Sequence, residues 1–223
     1  MRKRSLEVVK RDDLLRCLFL GARPIPKTVE DSELARPIVD QANFIDLAKG
    51  PEKEPFRKMY LEWLKRRTNP TAIELGITAA LYASIPEAVP FARELIANPK
   101  QSPEILGQAI LVLGNHGAVQ DVLLLDKFRA DERPYYFYKA PGVGTFTIQL
   151  REVATAMALL LRKEDFKKYG FEGVQVFVYW VGDKPAPYQK NHWFMTAAHR
   201  DAALVKAGKW LDEQPKPEVT PKK

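Results

Sequence analysis

The sequence predicts an all-α protein built as a short α-solenoid of helical hairpins, and three observations lead to this fold class. Asn69-Pro70 and Ser102-Pro103 each place a capping side chain before a proline that suits the first position of a helix. Apolar residues after each start recur at helical spacing. The second pattern repeats the first 32 positions later, with Ile73, Ile77 and Leu81 matching Ile105, Ala109 and Leu113. A period of this length is typical of stacked helical pairs.

The stretch from Pro103 to Arg129 is the clearest of these hairpins. One helical face of its first helix carries Leu106, Ala109, Ile110 and Leu113. Gly114 is expected to end that helix as a left-handed C-cap, and Asn115-His116-Gly117 is expected to turn the chain. The apolar stripe of a second helix then comprises Val119, Val122, Leu123 and Leu125.

The flanking regions complete the predicted array, which spans residues 69–171. Residues 1–68 are expected to form helices at 5–20 and at 31–49. A third helix is predicted by an apolar stripe at helical spacing, made of Phe56, Met59, Tyr60, Trp63 and Leu64. Pro86-Glu87 opens the second helix of the first hairpin. A third hairpin begins where Leu150, Ala154 and Met157 repeat Leu106, Ile110 and Leu113 at an offset of 44, and the excess length is an insertion at 131–147.

Residues 172–214 are expected to close the array. The alternating run from Val174 to Tyr179 predicts one short extended segment, which lacks an obvious partner strand unless it pairs with the insertion. Asp183 to Gln189 is expected to be a loop broken by prolines. A helix from Trp193 to Asp212 then places Phe194, Ala198, Ala202 and Val205 on one face, and residues 215–223 have the composition of a disordered tail.

The segment QAILVLGNHGAVQDVLLLDKF resembles a HEAT-like repeat, in which an apolar helix ends in Leu-Gly and a second helix begins Ala-Val. The resemblance covers residues 69 to about 169. The later segments QLREVATAMALLLRKEDFKKYGF and RDAALVKAGKWL resemble the closing part of uncharacterised bacterial HEAT-repeat proteins. This similarity implies an α-solenoid and adds no catalytic residues. We expect such an array to serve as a non-catalytic scaffold for protein–protein interaction.

A nucleic-acid-binding or DNA-repair HEAT-like protein is the alternative. The HEAT-like DNA-alkylation-repair glycosylases hold an Asp among Trp and Arg residues in a cleft, whereas the tryptophans here lie mostly outside the repeats and show no Trp-Asp grouping; they are Trp63, Trp180, Trp193 and Trp210. The bilin-lyase type of HEAT protein also finds no matching residues. The formal charge of +7 does not favour nucleic acid, because residues 1–16 carry +3, residues 206–223 carry +2, and only +2 remains for the body.

The sequence offers no constellation typical of an enzyme, a metal site or a cofactor site. His192 and His199 are seven positions apart, which is too far for a metal-binding pair on one helix, and His116 is expected to be structural. The Gly142-Val143-Gly144 run lacks the helix start that a phosphate loop needs, and Cys17 lies in an apolar run. The N-terminal region shows neither a signal peptide nor a membrane span, so we expect a cytoplasmic protein.

The insertion carries the candidate site. Four consecutive aromatic residues stand between basic ones, and we take all six as candidates for partner contact: Arg133, Tyr135, Tyr136, Phe137, Tyr138 and Lys139. Insertions on one face of a solenoid commonly bind partners, and tyrosine supplies rigid contact area with a polar tip. Two alternatives stay open, namely that the rings fill the gap between the second and third hairpins, or that they stack on bases.

Overall fold

A computed structural model describes residues 42–98, 100–140, 144–171, 174–181, 184–192 and 196–218, together with Leu15. These residues are mostly helical, as predicted. The helices are α1 Ala42–Lys49, α2 Lys53–Lys65, α3 Pro70–Ala83, α4 Val89–Ala97, α5 Pro103–His116, α6 Val122–Leu125, α7 Leu150–Leu161 and α8 Ala197–Glu213. The chain divides into two compact units, Met1–Glu87 and Ala88–Lys223. The predicted helix at 5–20, apart from Leu15, and the first part of that at 31–49 lie outside the described residues.

An aromatic cluster forms the core of the first unit. Phe44 of α1 meets Phe56 and Tyr60 of α2 edge to face, with ring centroids 5.2 and 5.1 Å apart, and Tyr60 stacks on Trp63. The Tyr60 hydroxyl donates to the backbone oxygen of Gly76 in α3, which satisfies a polar atom buried among the rings. The aromatic stripe predicted for α2 is therefore core, with Met59 at its partly exposed margin.

Both predicted helix starts are confirmed. The Asn69 side chain accepts hydrogen bonds from the backbone N–H groups of Thr71 and Ala72, at 2.9 and 3.3 Å, and the helix begins at Pro70. The Ser102 hydroxyl likewise accepts from the N–H of Ile105 at 3.4 Å. Each cap satisfies a donor that the first turn of a helix leaves unpaired, which explains why the cap-then-proline pattern marked both boundaries.

Helix α5 is the centre of the second unit. It packs on α4 on one side and on α7 on the other. Its buried apolar residues comprise Ile105, Leu106, Ala109, Ile110, Leu111, Val112 and Leu113, and those of α7 comprise Leu150, Val153, Ala154, Ala156, Met157, Ala158 and Leu159. Arg93 of α4 binds the buried Asp121 through two hydrogen bonds of 2.7 and 2.9 Å, which joins α4 to the turn after α5.

Two expectations for the stretch 103–129 were wrong. Gly114 does not cap α5, which continues to His116 and ends at Gly117 in extended backbone. Gly114 is instead buried inside the helix, next to Met157 of α7. A Cβ at this position would collide with the Met157 side chain, so the glycine permits the close approach of the two helices. The second helix is broken into two 3₁₀ turns, Val119–Asp121 and Asp126–Phe128, on either side of the four-residue α6, and Val119 is exposed.

Two β-hairpins interrupt the helices. Strands β1 Pro134–Ala140 and β2 Gly144–Gln149 pair antiparallel within the insertion, and β3 Val174–Val181 pairs antiparallel with β4 Lys184–His192. The extended segment at 174–179 therefore has a partner strand, and the loop predicted at 183–189 is wrong. Strand β4 contains Pro185 and Pro187, which lack the backbone N–H that a central strand needs. Because residues two apart direct their backbone nitrogens to the same edge, both prolines can face the outer edge of β4, where no ladder bond is lost.

The buried face predicted for the C-terminal helix is also wrong. Helix α8 buries Ala203, Ala207 and Leu211, whereas Ala198, Ala202 and Val205 are exposed. The helix carries two apolar stripes, and periodicity alone does not distinguish them. The stripe with Leu211 is the buried one, because leucine removes more apolar surface from water than alanine does. This orientation of α8 also directs Arg200 at α7.

Candidate functional site

The β1–β2 hairpin rises directly from the start of α7. The backbone N–H of Leu150 donates to the oxygen of Arg133 at 3.0 Å, and that of Arg151 donates to the oxygen of Asp131 at 2.8 Å. A register shift between Pro134 and Tyr136 places two residues of β1, Tyr135 and Tyr136, opposite one residue of β2, as in a β-bulge. The hairpin base is thus fixed to a buried helix, and the bulge sets which ring of the aromatic run points inward.

Tyr135 is a packing residue. Its side chain is only 4% exposed and its ring lies against Gly107 of α5, where any Cβ would overlap the ring. Burial raises the pKa of the Tyr135 hydroxyl, and the nearby Glu152 carboxyl adds to the rise. For this residue the packing alternative is correct, and Tyr135 is removed from the candidate contact surface.

Tyr136 and Phe137 form the exposed part of the aromatic run. Their side chains are 42% and 60% exposed, and among the residues whose side chains the structure describes they are the only adjacent pair of exposed large hydrophobic residues. The ring centroid of Tyr136 lies 6.3 Å from that of Tyr135. We call Tyr136 and Phe137 the exposed aromatic pair.

The other candidates contribute less to this surface. Arg133 is exposed, but its guanidinium binds Asp131 through contacts of 2.7 to 3.1 Å, which lowers the pKa of that carboxyl and raises that of Arg133. The charge of Arg133 therefore already has an internal partner. Tyr138 and Lys139 belong to β1 by backbone, and their side chains lie outside the described part of the structure.

Sequence reasoning missed a buried ion pair beneath the hairpin. Glu152 of α7 has no exposed surface, forms an ion pair with Arg200 of α8, and accepts a hydrogen bond of 3.1 Å from the Gln149 backbone N–H. Burial raises the pKa of Glu152 to about 7, although Arg200 and the Gln149 N–H act to lower it. The Gln149-Leu-Arg-Glu152 run fits the spacing of a capping box, which is the signal that could have identified this carboxylate.

Two arginines connect this pair to the surrounding elements. Arg200 also donates to the backbone oxygen of Thr147 in β2 at 2.9 Å. Arg151 bridges Glu132 and Asp201 at 2.9 and 3.2 Å and donates to the Gln149 side chain at 2.7 Å. The base of the hairpin, α7 and α8 are thereby held together by charged groups. These contacts fix the hairpin in place.

Other chemistries find little support in the described residues. No group of His, Cys, Asp and Glu among them is arranged to hold a metal ion. His199 lies exposed in the first turn of α8, where its backbone N–H binds Thr196, and His116 is the last residue of α5. Within the same residues, no helix has both the length and the apolar character needed to cross a bilayer.

Comparison with protein-family models, with curated proteins and with solved structures finds no match for this chain. The resemblance to HEAT-like repeats therefore rests on the residues of this sequence alone.

Proposed function

We propose that this chain is a non-catalytic interaction scaffold of the HEAT-like type, and that the exposed aromatic pair contacts a protein partner. The observation that carries the proposal is the exposure of Tyr136 and Phe137, which are consecutive in β1 and so present one ring on each face of a hairpin whose base is fixed by buried groups. Exposed aromatic residues on a rigid support cost little entropy to bury in a complex, and interfaces are enriched in them.

The arrangement of helices supports the scaffold part of the proposal. Two helices start with a capping side chain followed by proline, 33 positions apart, and in the second unit α4, α5 and α7 pack in succession. Succession of this kind is how an α-solenoid buries faces that no single hairpin can bury. An insertion between two such helices is a usual place for a binding surface.

A protein partner fits the surface better than nucleic acid does. Stacking on bases is usually accompanied by free cationic groups that meet the phosphates. Two described arginines at the base of the hairpin are already paired, Arg133 with Asp131 and Arg151 with Glu132 and Asp201. Their charges are therefore not free to meet phosphates, which favours a protein contact.

The test is a quantitative pull-down from extracts of the native organism. Proteins recovered with the tagged wild-type chain are compared with those recovered with the double variant Tyr136→Ser, Phe137→Ser. Loss of two interface anchors should reduce recovery of the specific partner by at least about tenfold. Val205→Ser is the matched control, because Val205 is 74% exposed on α8 and its change should leave recovery unaltered.

The proposal fails if the double variant, with an unchanged circular-dichroism spectrum and thermal unfolding temperature, recovers the same proteins in the same amounts as the wild type. It also fails if Val205→Ser removes the same proteins, because the effect would then not be specific to the hairpin.

A further inference from the structure

The two outer edges of the β1–β2 hairpin differ in their free backbone groups. In an antiparallel pair, residues alternate between positions that bond across the ladder and positions whose N–H and C=O groups point outward. The Thr147 oxygen of β2 accepts from Arg200, a residue of α8, so this carbonyl points away from β1. Phe137 is the partner of Thr147 and its backbone N–H and C=O groups therefore point outward from β1.

A second observation gives the same alternation. Arg133 and Leu150 bond across the base of the hairpin, which makes the next pair, Pro134 and Gln149, an outward-facing one. The position suits a proline, which has no N–H to give to the ladder. Counting on through the bulge places Phe137 and Lys139 in outward-facing positions and Tyr136 and Tyr138 in bonded ones.

The edge of β2 is occupied at Thr147, where Arg200 binds the backbone oxygen. Among the described residues, nothing outside β2 bonds to the backbone of Phe137. The β1 edge thus displays N–H and C=O groups at Phe137 and again at Lys139, about 7 Å further along the strand. An alternating row of donors and acceptors at this interval fits an extended polypeptide, whereas the phosphates of a nucleic acid offer acceptors only.

We propose that the outer edge of β1, from Tyr136 to Lys139, binds an extended segment of a protein partner as an added third strand. This inference rests on the proposed function and specifies its mode. Main-chain hydrogen bonds to Phe137 and Lys139 hold the segment, and the exposed Phe137 ring packs on an apolar side chain of the added strand. Pro134 and the bulge at Tyr135 limit the usable edge to the stretch that follows them.

Hydrogen exchange of the free full-length chain tests the geometry first. The amide protons of Phe137 and Lys139 should exchange as fast as those of an unstructured peptide, and that of Tyr138 should be protected by its bond to β2. Protection of Phe137 and Lys139 in the free chain would show that the edge is already occupied and would overturn the inference.

Binding is tested with random peptides of about twelve residues, long enough for a strand of usual length, displayed on phage and selected on the full chain. Phe137→Ala removes the ring, and Phe137→Pro removes the ring and the outward N–H. Peptides selected on the edge should bind Phe137→Pro about tenfold more weakly than Phe137→Ala, since one further main-chain bond is lost. Thr147→Pro is the matched control on the opposite edge and should leave binding unchanged.

The outcomes separate the inference from the proposed function. If Phe137→Ala and Phe137→Pro bind the peptides equally, and both more weakly than the wild type, the ring contributes to binding but the backbone N–H does not. That result agrees with contact by the exposed aromatic pair and overturns strand addition. Failure of the selection to return any peptide that Phe137→Pro weakens also overturns it. If the pull-down is insensitive to the exposed aromatic pair as well, the proposed function fails. If Phe137→Pro does not fold, hydrogen exchange of the wild-type chain is measured with the selected peptide bound. Strand addition predicts slower exchange of the Phe137 and Lys139 amides, and unchanged exchange contradicts it.

Discussion

The ionisation of Glu152 is coupled to the folding of this chain. Its carboxyl is fully buried at the base of the β1–β2 hairpin, next to Arg200 and Arg151 and near the buried Tyr135. Removal from water disfavours the charged form, and this effect exceeds the opposing attraction of the two arginines, so the pKa rises to about 7. The folded chain therefore binds a proton at Glu152 under mildly acidic conditions in which the unfolded chain has released it.

This raised pKa predicts a specific pH dependence of stability. The stabilisation that comes from the protonated Glu152 carboxyl is fully present below its unfolded pKa of about 4.5. This stabilisation is lost as the pH rises through about 7. The free energy of unfolding of the wild type relative to Glu152→Gln should thus decrease between those values, by up to about 3 kcal/mol. Chemical denaturation of both proteins across this range measures it. A difference that stays constant or grows with pH would mean that Arg200 dominates and that the pKa is not raised.

The aromatic run shows what sequence can establish at the scale of single residues. Four consecutive rings mark Tyr135 to Tyr138 as unusual, and the candidate residues were chosen on that basis. Which ring is buried could not be predicted, because the bulge sets the direction of Tyr135 and the space for it comes from Gly107, a residue 28 positions earlier on helix α5. The local sequence around Tyr135 indicates neither the bulge nor the space beside Gly107.

At the scale of elements, the seating of the hairpin on α5 depends on Gly107. A Cβ at this position would overlap the Tyr135 ring, so Gly107→Ala should force the ring out and lower the free energy of unfolding by about 1 to 3 kcal/mol. Gly208→Ala in α8 is the matched control, because its Cβ would come no closer than 3.8 Å to Arg129 and alanine favours the helix.

Urea unfolding of the two variants measures both effects. The expected pattern is destabilisation in Gly107→Ala and either no change or a gain of up to about 1 kcal/mol in Gly208→Ala. Equal effects of the two substitutions would show that the packing of Tyr135 against α5 does not limit stability.

Elements with local signals were predictable and those set by distant partners were not. The starts of α3 and α5 follow from caps and prolines that act within one turn. Strand β4 was missed because its prolines are local signals for a loop, and their tolerance depends on pairing with β3. The face of α8 was missed because Arg200 and Leu211 find their partners on other elements.

At the scale of the whole molecule, the helical class and the recurrence of helix starts were accessible to sequence, since both depend on period and capping. The stacking of hairpins into a solenoid remains our proposal, supported by the packing of α4, α5 and α7 in the second unit. The two β-hairpins add a feature that the helical pattern does not contain, and one of them carries the surface to which we assign function.

The most direct test of that assignment is photo-crosslinking in living cells of the native organism. A photoreactive amino acid replaces Phe137 in one sample and Val205 of α8, which is even more exposed, in another. The account predicts a discrete crosslinked product at position 137 that protease digests and nuclease does not, and none of the same mass at position 205. A nuclease-sensitive product at 137, or identical products at both positions, would contradict the claim that the exposed aromatic pair binds a protein partner.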